Sequence, residues 1–295
     1  MIDNIESLIG ISIATKNRWE DLAVTLDQLK NQGLEGCQTV VFDDGSDDPV
    51  TPAFKKKYPW VTWERSSTSL GSTSSRNAIA RILSTPLILQ LDNDSFPISG
   101  NLLQAARDLI IEEKVAILSF EITISEKLLK KISETFYHHT AVRDFVGCGA
   151  LIKRKIFLEN GGYDERMGFY GEEQELCLRL IKKGYIILYY PSLVIKHCIS
   201  TKERNLSYRT RLNTRNEILI SIWHFPWPEP LLRPLRVLFA GFRNPIWRKY
   251  PMSLFMGFID SIQSFGSKKR TPRLSWKEYM DWRALPYNFQ LRGKS

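Results

Sequence analysis

Two aspartates one residue apart, Asp92-Asn93-Asp94, end a short apolar run from Leu87 to Leu91. Side chains two positions apart in an extended segment point to the same side, so these carboxylates can offer hard oxygen ligands to one divalent cation. A cation held by two protein carboxylates keeps open positions, and the phosphate oxygens of a nucleotide suit them. Asp92 to Ser95 also make a good turn or helix N-cap, because Asp, Asn and Ser side chains accept hydrogen bonds from nearby backbone N–H groups. The triplet alone leaves both readings open.

Further polar clusters follow other apolar runs. Leu8 to Ala14 reads as a buried strand that ends in Thr15-Lys16-Asn17-Arg18, and Thr39 to Phe42 as a strand that ends in the acidic cluster Asp43 to Asp48. Trp60 to Glu64 reads as a short strand leading to Gly71-Ser72-Thr73-Ser74-Ser75-Arg76-Asn77 and a helix through Leu83. Leu87 to Leu91 is too short for a free-standing helix and is rich in branched apolar residues, as a buried strand is. Leu22, Leu26 and Leu29 recur at helical spacing within Trp19 to Gln32, and Gly33 is a stop signal. Such alternation predicts a doubly wound, mostly parallel α/β sheet. In that architecture the carboxyl ends of the strands gather at one rim, where ligands bind. One polar cluster is an ordinary solvated loop; three converging on a rim read as a site.

Gly100 to Glu113 reads as helical and Val115 to Phe120 as another strand. Glu121 to Arg143 shows no period, and its adjacent His138 and His139 read as surface or packing residues, since neighbouring side chains point in different directions. Phe145 to Ile152 is strand-like, with Gly147 and Gly149 implying close approach of backbone or ligand. Gly171 to Gly184 predicts a helix of about four turns closed by glycine. At 100° per residue, Glu173 falls in the middle of the apolar face formed by Leu176, Cys177 and Leu180. A carboxylate there costs stability unless it has a partner or a function, so a cap, an ion pair and a general base are all open. Glu172 and Glu175 lie to one side, as first-turn acids favoured by the helix dipole. Tyr185 to Tyr190 and Leu193 to Lys196 read as two strands, the second delivering His197.

With 43% hydrophobic residues the 295-residue chain can build a real core in one large or two small domains. Its four cysteines form no Cys-x-x-Cys pair, which predicts reduced thiols in a cytoplasmic protein and no cysteine metal cluster. No apolar run approaches the roughly 18 residues of a membrane-spanning helix. Residues 196–295 hold 19 Lys and Arg against 6 Asp and Glu, whereas the preceding residues are mildly acidic. A boundary near residue 200 is expected, giving a catalytic unit over 1–200 and a helical, basic and aromatic region over 201–295. There Trp223 to Trp227, Leu231 to Phe242 and Met252 to Phe265 mix aromatic and aliphatic residues, ahead of the basic run Lys268-Lys269-Arg270. Nucleic-acid readers display aromatic and basic residues on a sheet or groove. Helical segments of this kind suit an anionic membrane surface better, so peripheral attachment at the inner face of the cell membrane is expected and nucleic acid is not.

Taken together these motifs resemble the family 2 glycosyltransferases, bacterial inverting enzymes of the GT-A fold, over residues 8 to about 200. Asp43-Asp44-Gly45-Ser46 is similar to the family's Asp-Asp-Gly-Ser loop, Gly71 to Asn77 to its Gly-x-x-x-(small)-Arg-Asn segment, and Asp92-Asn93-Asp94 to its Asp-x-Asp motif. Gly161 to Gly184 resembles its Gly-Gly-Phe-Asp-Glu and Glu-Asp-x-Asp-Leu-x-x-Arg block, with Glu173 and Glu175 standing for the usual aspartates. The resemblance implies a nucleoside diphosphate sugar donor, a glycan or lipid-linked acceptor in surface polysaccharide or glycolipid synthesis, and Mn2+ or Mg2+ as cofactor. It implies that Thr15, Asp44 and Arg76 hold the base, ribose or adjacent phosphate. Asp92 would support ribose and metal, Asp94 would be the main metal ligand, His197 a third ligand and Glu173 the catalytic base. A nucleotidyltransferase on a related fold is the alternative; it would normally carry a glycine-rich phosphate loop after the first strand, and Thr15 to Arg18 has no glycine.

Overall fold

The computed structural model of the protein describes residues 4–124, 139–198, 205–264 and 272–287. His138, the Lys268 to Arg270 run and the expected boundary at residue 200 lie outside them. The apolar runs form β1 (Ile9–Thr15), β2 (Gln38–Asp44), β3 (Val61–Ser66), β4 (Leu87–Asp92), β5 (Ser95–Ser99), β6 (Val115–Thr123), β7 (Thr140–Val142), β8 (Gly149–Lys153) and β9 (Ile186–His197). They make one sheet in the order β3-β2-β1-β4-β8-β6-β9-β5, with β7 also paired to β9. The pairings run β1, β2, β3, β4, β6 and β9 in one direction and β5, β7 and β8 against them. The sheet is mixed and mostly parallel, as the resemblance to GT-A enzymes implies.

The main helices are α1 (Trp19–Asn31), α2 (Ser72–Ile82), α3 (Leu102–Ile111), α4 (Glu172–Lys182), α5 (Leu206–His224), α6 (Glu229–Arg243), α7 (Pro251–Gln263) and α8 (Trp276–Ala284). One core cluster joins Leu22, Leu26 and Leu29 of α1 and Leu109 of α3 to one face of the sheet. A second joins Ile79 and Ala80 of α2 and Leu176, Cys177 and Leu180 of α4 to the other face. Both faces are covered, which is why the central strands read as continuous apolar runs.

Two strand expectations change. Tyr185 to Tyr190 and Leu193 to Lys196 are one strand, β9, with a register shift against β6 between Phe120 and Glu121 that absorbs Pro191. Proline lacks the ladder donor, so a bulge at this point keeps both halves paired. Ser95 to Ser99 after the aspartates is strand β5, and its Pro97 is tolerated because β5 lies at the edge of the sheet. His139 packs, its ring stacked on Tyr190 with centroids 4.4 Å apart. All four cysteines are free; Cys37, Cys148 and Cys177 are buried and Cys198 is exposed.

Candidate active site

β1, β2, β4 and β9 all end at one rim, and their last residues are Thr15, Asp44, Asp92 and His197. Thr15, Asp44, Arg76, Asp92, Asp94 and His197 line one cavity of about 400 Å3. A larger concavity of about 970 Å3 lies between the amino-terminal segment and β5, lined by amides and aliphatic side chains with no ionisable group. The ionisable groups therefore gather in the smaller one.

Asn93 Nδ2 donates to Thr15 Oγ1 at 2.9 Å and ties β4 to β1. Asp44 accepts from Ser69 Oγ at 2.7 Å and from the backbone N–H groups of Leu70 at 2.7 Å and Gly71 at 3.1 Å. It thus fixes the loop entering α2 while it borders the cavity. Asp43 is buried away from it, accepting from Ser46 N at 2.9 Å and paired with Arg65.

Arg76 is the hinge of the site. Its Nη2 donates to Asp92 Oδ1 at 2.7 Å, and its Nη1 lies 3.6 Å from Glu172 Oε1 and 3.7 Å from Glu173 Oε1. Burial opposes its charge, but Asp92 and the two glutamates outweigh that and raise its pKa. The next residue, Asn77, accepts from Tyr163 N at 2.8 Å and donates to Tyr163 O at 2.9 Å, clamping α2 to the Gly161-Gly162-Tyr163 turn. The Arg-Asn pair therefore divides its labour between site and scaffold.

At the aspartate end of the cavity, Asp94 Oδ1 is 3.1 Å and Asp92 Oδ2 3.9 Å from His197 Nε2. Cys148 Sγ is 3.6 Å from His197 Nδ1, and donor atoms of Asp92, Cys148 and His197 all lie within 4.8 Å of one another. The thiol, which spacing in the sequence excludes from any cluster, is brought here because β8 starts beside the end of β4. Carboxylate oxygens and an imidazole nitrogen fit Mn2+ or Mg2+; a soft thiol does not, and Cys148 suits orientation of the ring from its far side. Burial alone would lower the His197 pKa, but hydrogen bonds to Asp94 and Cys148 raise it to about 10.

Glu173 stands one guanidinium away from this group, across Arg76, and does not itself line the cavity. Aspartates and acidic helix are therefore bridged by Arg76. Gly147 explains how they fit: a Cβ there would sit 2.4 Å from Glu173 Oε1 and 2.8 Å from Arg76 Nη1. Gly149, by contrast, makes room for Ile122 and Ile195, which is packing.

The helical projection places the acids incorrectly in one respect. Glu172 and Glu175 are the buried ones, and the Glu173 side chain keeps 20% exposure. The projection supposes one buried face, whereas α4 has two: Leu176 and Leu180 meet the sheet, while Leu178 joins a third cluster with Leu219, Ile220 and Trp223 of α5. Glu175 bonds Arg179 Nη2 at 2.6 Å and lies 3.1 Å from His224 Nε2 of α5. Arg179 also donates to Gly162 O at 2.6 Å, so this ion pair locks the acidic helix to the glycine turn.

Several cavity residues have no counterpart in the sequence reading. Arg18 Nη1 pairs with Asp94 Oδ2 at 3.3 Å; its cluster is visible after β1, but nothing in the sequence singles it out. Tyr208 and Arg209 of α5 reach the cavity from beyond the expected boundary, and Phe169 from the loop before α4. Asn216 of α5 shares its amide N–H groups among Met167 O, Phe169 O and Tyr170 O at 2.7–2.9 Å. It holds Tyr170 at a φ of 67°, a conformation rare outside glycine. Helix α5 is thus part of the cavity wall.

The family model for glycosyl transferase family 2 matches residues 11–161, which hold most of β1, all of β2 to β8 and every aspartate of the rim. The chain belongs to this family. A relative within reach of sequence comparison is the pre-mycofactocin glycosyltransferase of Mycobacterium tuberculosis, 27% identical over 215 residues, covering 68% of this chain. The chain spans about half (45%) of that relative's length. Among solved structures, a mannosyltransferase of Pyrobaculum calidifontis in complex with GDP-Man and Mn2+ is 14% identical with a TM-score of 0.57, over 87% of this chain and 86% of that one. GalNAc-T7 with UDP, GalNAc and Mn2+ is 14% identical with a TM-score of 0.63, over 92% and 59%. These two likenesses establish the fold of the family 2 chain.

The Glu175 pair makes a prediction about stability. Burial would raise the Glu175 pKa, but His224 and Arg179 more than reverse this and hold it at about 2, against an ordinary 4.5. A carboxyl depressed in the folded state stabilises fully above its unfolded pKa and loses that contribution as pH falls from about 4.5 toward 2. The shift corresponds to about 3 kcal/mol. Glu175→Gln should therefore lower the urea midpoint at pH 7, and the gap to the native protein should narrow as pH falls toward 3. A gap independent of pH would show that charge pairing is not what Glu175 contributes.

Proposed function

We propose that the protein is a metal-dependent inverting glycosyltransferase that moves a sugar from a nucleoside diphosphate sugar to an acceptor hydroxyl, in synthesis of a bacterial surface polysaccharide or glycolipid. The observation that carries this reading is the joining, through Arg76, of a carboxylate and imidazole cluster to an acidic helix. The solved relatives named above hold GDP-Man or UDP with Mn2+, which favours the same donor class here.

Asp92, Asp94 and His197 would hold Mn2+ or Mg2+, which supplies positive charge to the leaving diphosphate when bound. Thr15 and Asp44 border the part of the cavity we assign to base and ribose. Arg18 and Arg209 line the same cavity as fixed positive charge toward phosphate oxygens. Glu173 takes the proton of the acceptor hydroxyl as its oxygen bonds to the anomeric carbon, and the diphosphate departs from the opposite face with the electron pair of the broken C–O bond. Single displacement inverts the anomeric centre and needs no covalent enzyme intermediate. Glu172 supports Glu173: it is buried beside it, and burial and the Glu173 charge raise its pKa well above the ordinary carboxyl value. Burial raises the pKa of both acids, so the pair takes up a proton more readily than free carboxylates do.

The test is incubation with UDP-, GDP- and dTDP-sugars, with and without Mn2+, followed by nucleoside diphosphate release and by NMR of the anomeric proton in the product. One donor should be consumed, EDTA should stop the reaction, and the product should carry the opposite configuration. Retained configuration would overturn the single displacement, and pyrophosphate release from a nucleoside triphosphate would favour the nucleotidyltransferase reading.

A further inference from the structure

Residues 230–259 contain five arginines and lysines and no aspartate or glutamate. Arg233 and Arg236 are used inside the protein, paired with Glu217 and Glu229. Arg243, Arg248 and Lys249 are exposed and, among the described residues, have no acidic side chain within ion-pair distance. They sit at the end of α6 and in the turn to α7, and Arg243 lies over the Phe239 ring at 5.5 Å.

The apolar residues around them are not folded inward. Trp223 and Phe225, among the aromatic residues the sequence suggests for a membrane, are buried in the third cluster with Tyr279 and Trp282. On α6, however, Leu231 is 63% exposed, Leu235 68%, Phe239 63% and Phe242 55%. Steps of four, four and three residues put these on one stripe of the helix. Ile246 in the turn and Met252 and Phe255 of α7 are also exposed, and α7 packs against α6 where Leu254 meets Gly241. Water-facing helices bury such residues; an apolar stripe with Arg243, Arg248 and Lys249 at its end matches the interface of a bilayer bearing negative headgroups. No helix of the described residues is long and apolar enough to cross a membrane, so this face would lie in the plane.

Position ties the stripe to the cavity. Ser253, between Met252 and Phe255, is 2.7 Å from Ser207 through their hydroxyls, and Tyr208 and Arg209, which follow Ser207, line the cavity. Arg211 of α5 and Asp260 of α7 form a two-point ion pair at 2.6 and 2.8 Å that fixes the helices together. We propose that the face formed by Leu231, Leu235, Phe239, Phe242, Met252 and Phe255, with Arg243, Arg248 and Lys249, docks on an anionic lipid bilayer and holds the cavity mouth beside the headgroups. An acceptor anchored in that bilayer would then meet the site without leaving it. Docking itself does not depend on the transfer reaction proposed above.

The whole protein should float with phosphatidylcholine vesicles that contain phosphatidylglycerol, much less with phosphatidylcholine alone, and less again at high salt. Leu235→Glu with Phe239→Glu should abolish flotation. Joint replacement of Arg243, Arg248 and Lys249 by Ala should weaken partitioning on the order of 10²-fold and remove the preference for the anionic lipid. All five positions are exposed, and unchanged thermal midpoints would verify the fold; should a variant unfold, the lipid and salt dependence of the native protein decides alone. Equal recovery with and without anionic vesicles would overturn the proposal. So would a dimer that Leu235→Glu and Phe239→Glu dissociate in a protein that does not float, since the face would then belong to a second copy of the chain.

Discussion

Asp94→Ala should abolish metal-dependent donor binding while the protein stays folded. Asp94 follows the end of β4 at the sheet rim, where the backbone is fixed by Cys198 N donating to Asp94 O at 2.8 Å. One carboxylate oxygen faces His197 and the other Arg18. Both partners keep some contact with water, so loss of the carboxylate leaves no fully buried charge unpaired, and the stability cost should stay near 1 kcal/mol. Binding has no such buffer. Even partners that only orient metal ligands typically contribute 10–100-fold to affinity, so a direct ligand should cost about 10²-fold or more. Titration calorimetry with a nucleoside diphosphate sugar and Mn2+ reads this directly. Affinity equal to that of the native protein would remove Asp94 from the metal site and leave Asp92 and His197 to explain it. Asp94→Asn adds a control, because it preserves shape and hydrogen bonding to His197 while it removes charge.

The rim was legible in the sequence because each strand there is a local object. Apolar runs ending at Thr15, Asp44 and Asp92 carry their own stop signals, and two-sided burial makes a run continuous enough to recognise. What could not be read locally are contacts made across long separations. Cys148 reaches His197 only because β8 inserts antiparallel between β4 and β6, an order that no spacing along the chain encodes. Asn216 grips the loop at Met167 to Tyr170 from nearly fifty residues away, and Arg209 enters the cavity from the same helix. The projection of α4 failed for the same reason: its second buried face is created by α5, and Glu175 answers to Arg179 and His224 rather than to solvent. The aromatic residues after 220 show a third form of the limit. Composition cannot sort Trp223, which is buried, from Phe239, which is not, because the sorting depends on which side of each helix meets α8 and the acidic helix.

Glu173→Gln should cut sugar transfer by about 10² to 10⁴ while donor affinity stays near that of the native protein. The substitution keeps shape and removes basicity. Two opposing effects set the Glu173 pKa: partial burial raises it, while Arg76 and the backbone N–H at the start of α4 lower it. Burial prevails and the pKa lies above the ordinary carboxyl value, the direction that improves a proton acceptor near neutral pH. Its sign in a rate profile follows. As the proposed base, Glu173 must be ionised, so the rate should fall as pH drops through the raised pKa, and Glu173→Gln should flatten that limb. Because Glu172 and Glu173 are adjacent acids whose charges interact, the limb belongs to the pair. Glu172→Gln should therefore move the limb without erasing activity, as it retains a donor toward Glu173. Glu175→Gln should act through stability at its ion pair with Arg179, with full transfer in whatever fraction stays folded. A Glu173→Gln protein with native transfer rates, alongside a folded Glu175→Gln protein with none, would reverse these assignments and move the base to the face of α4 that meets α5.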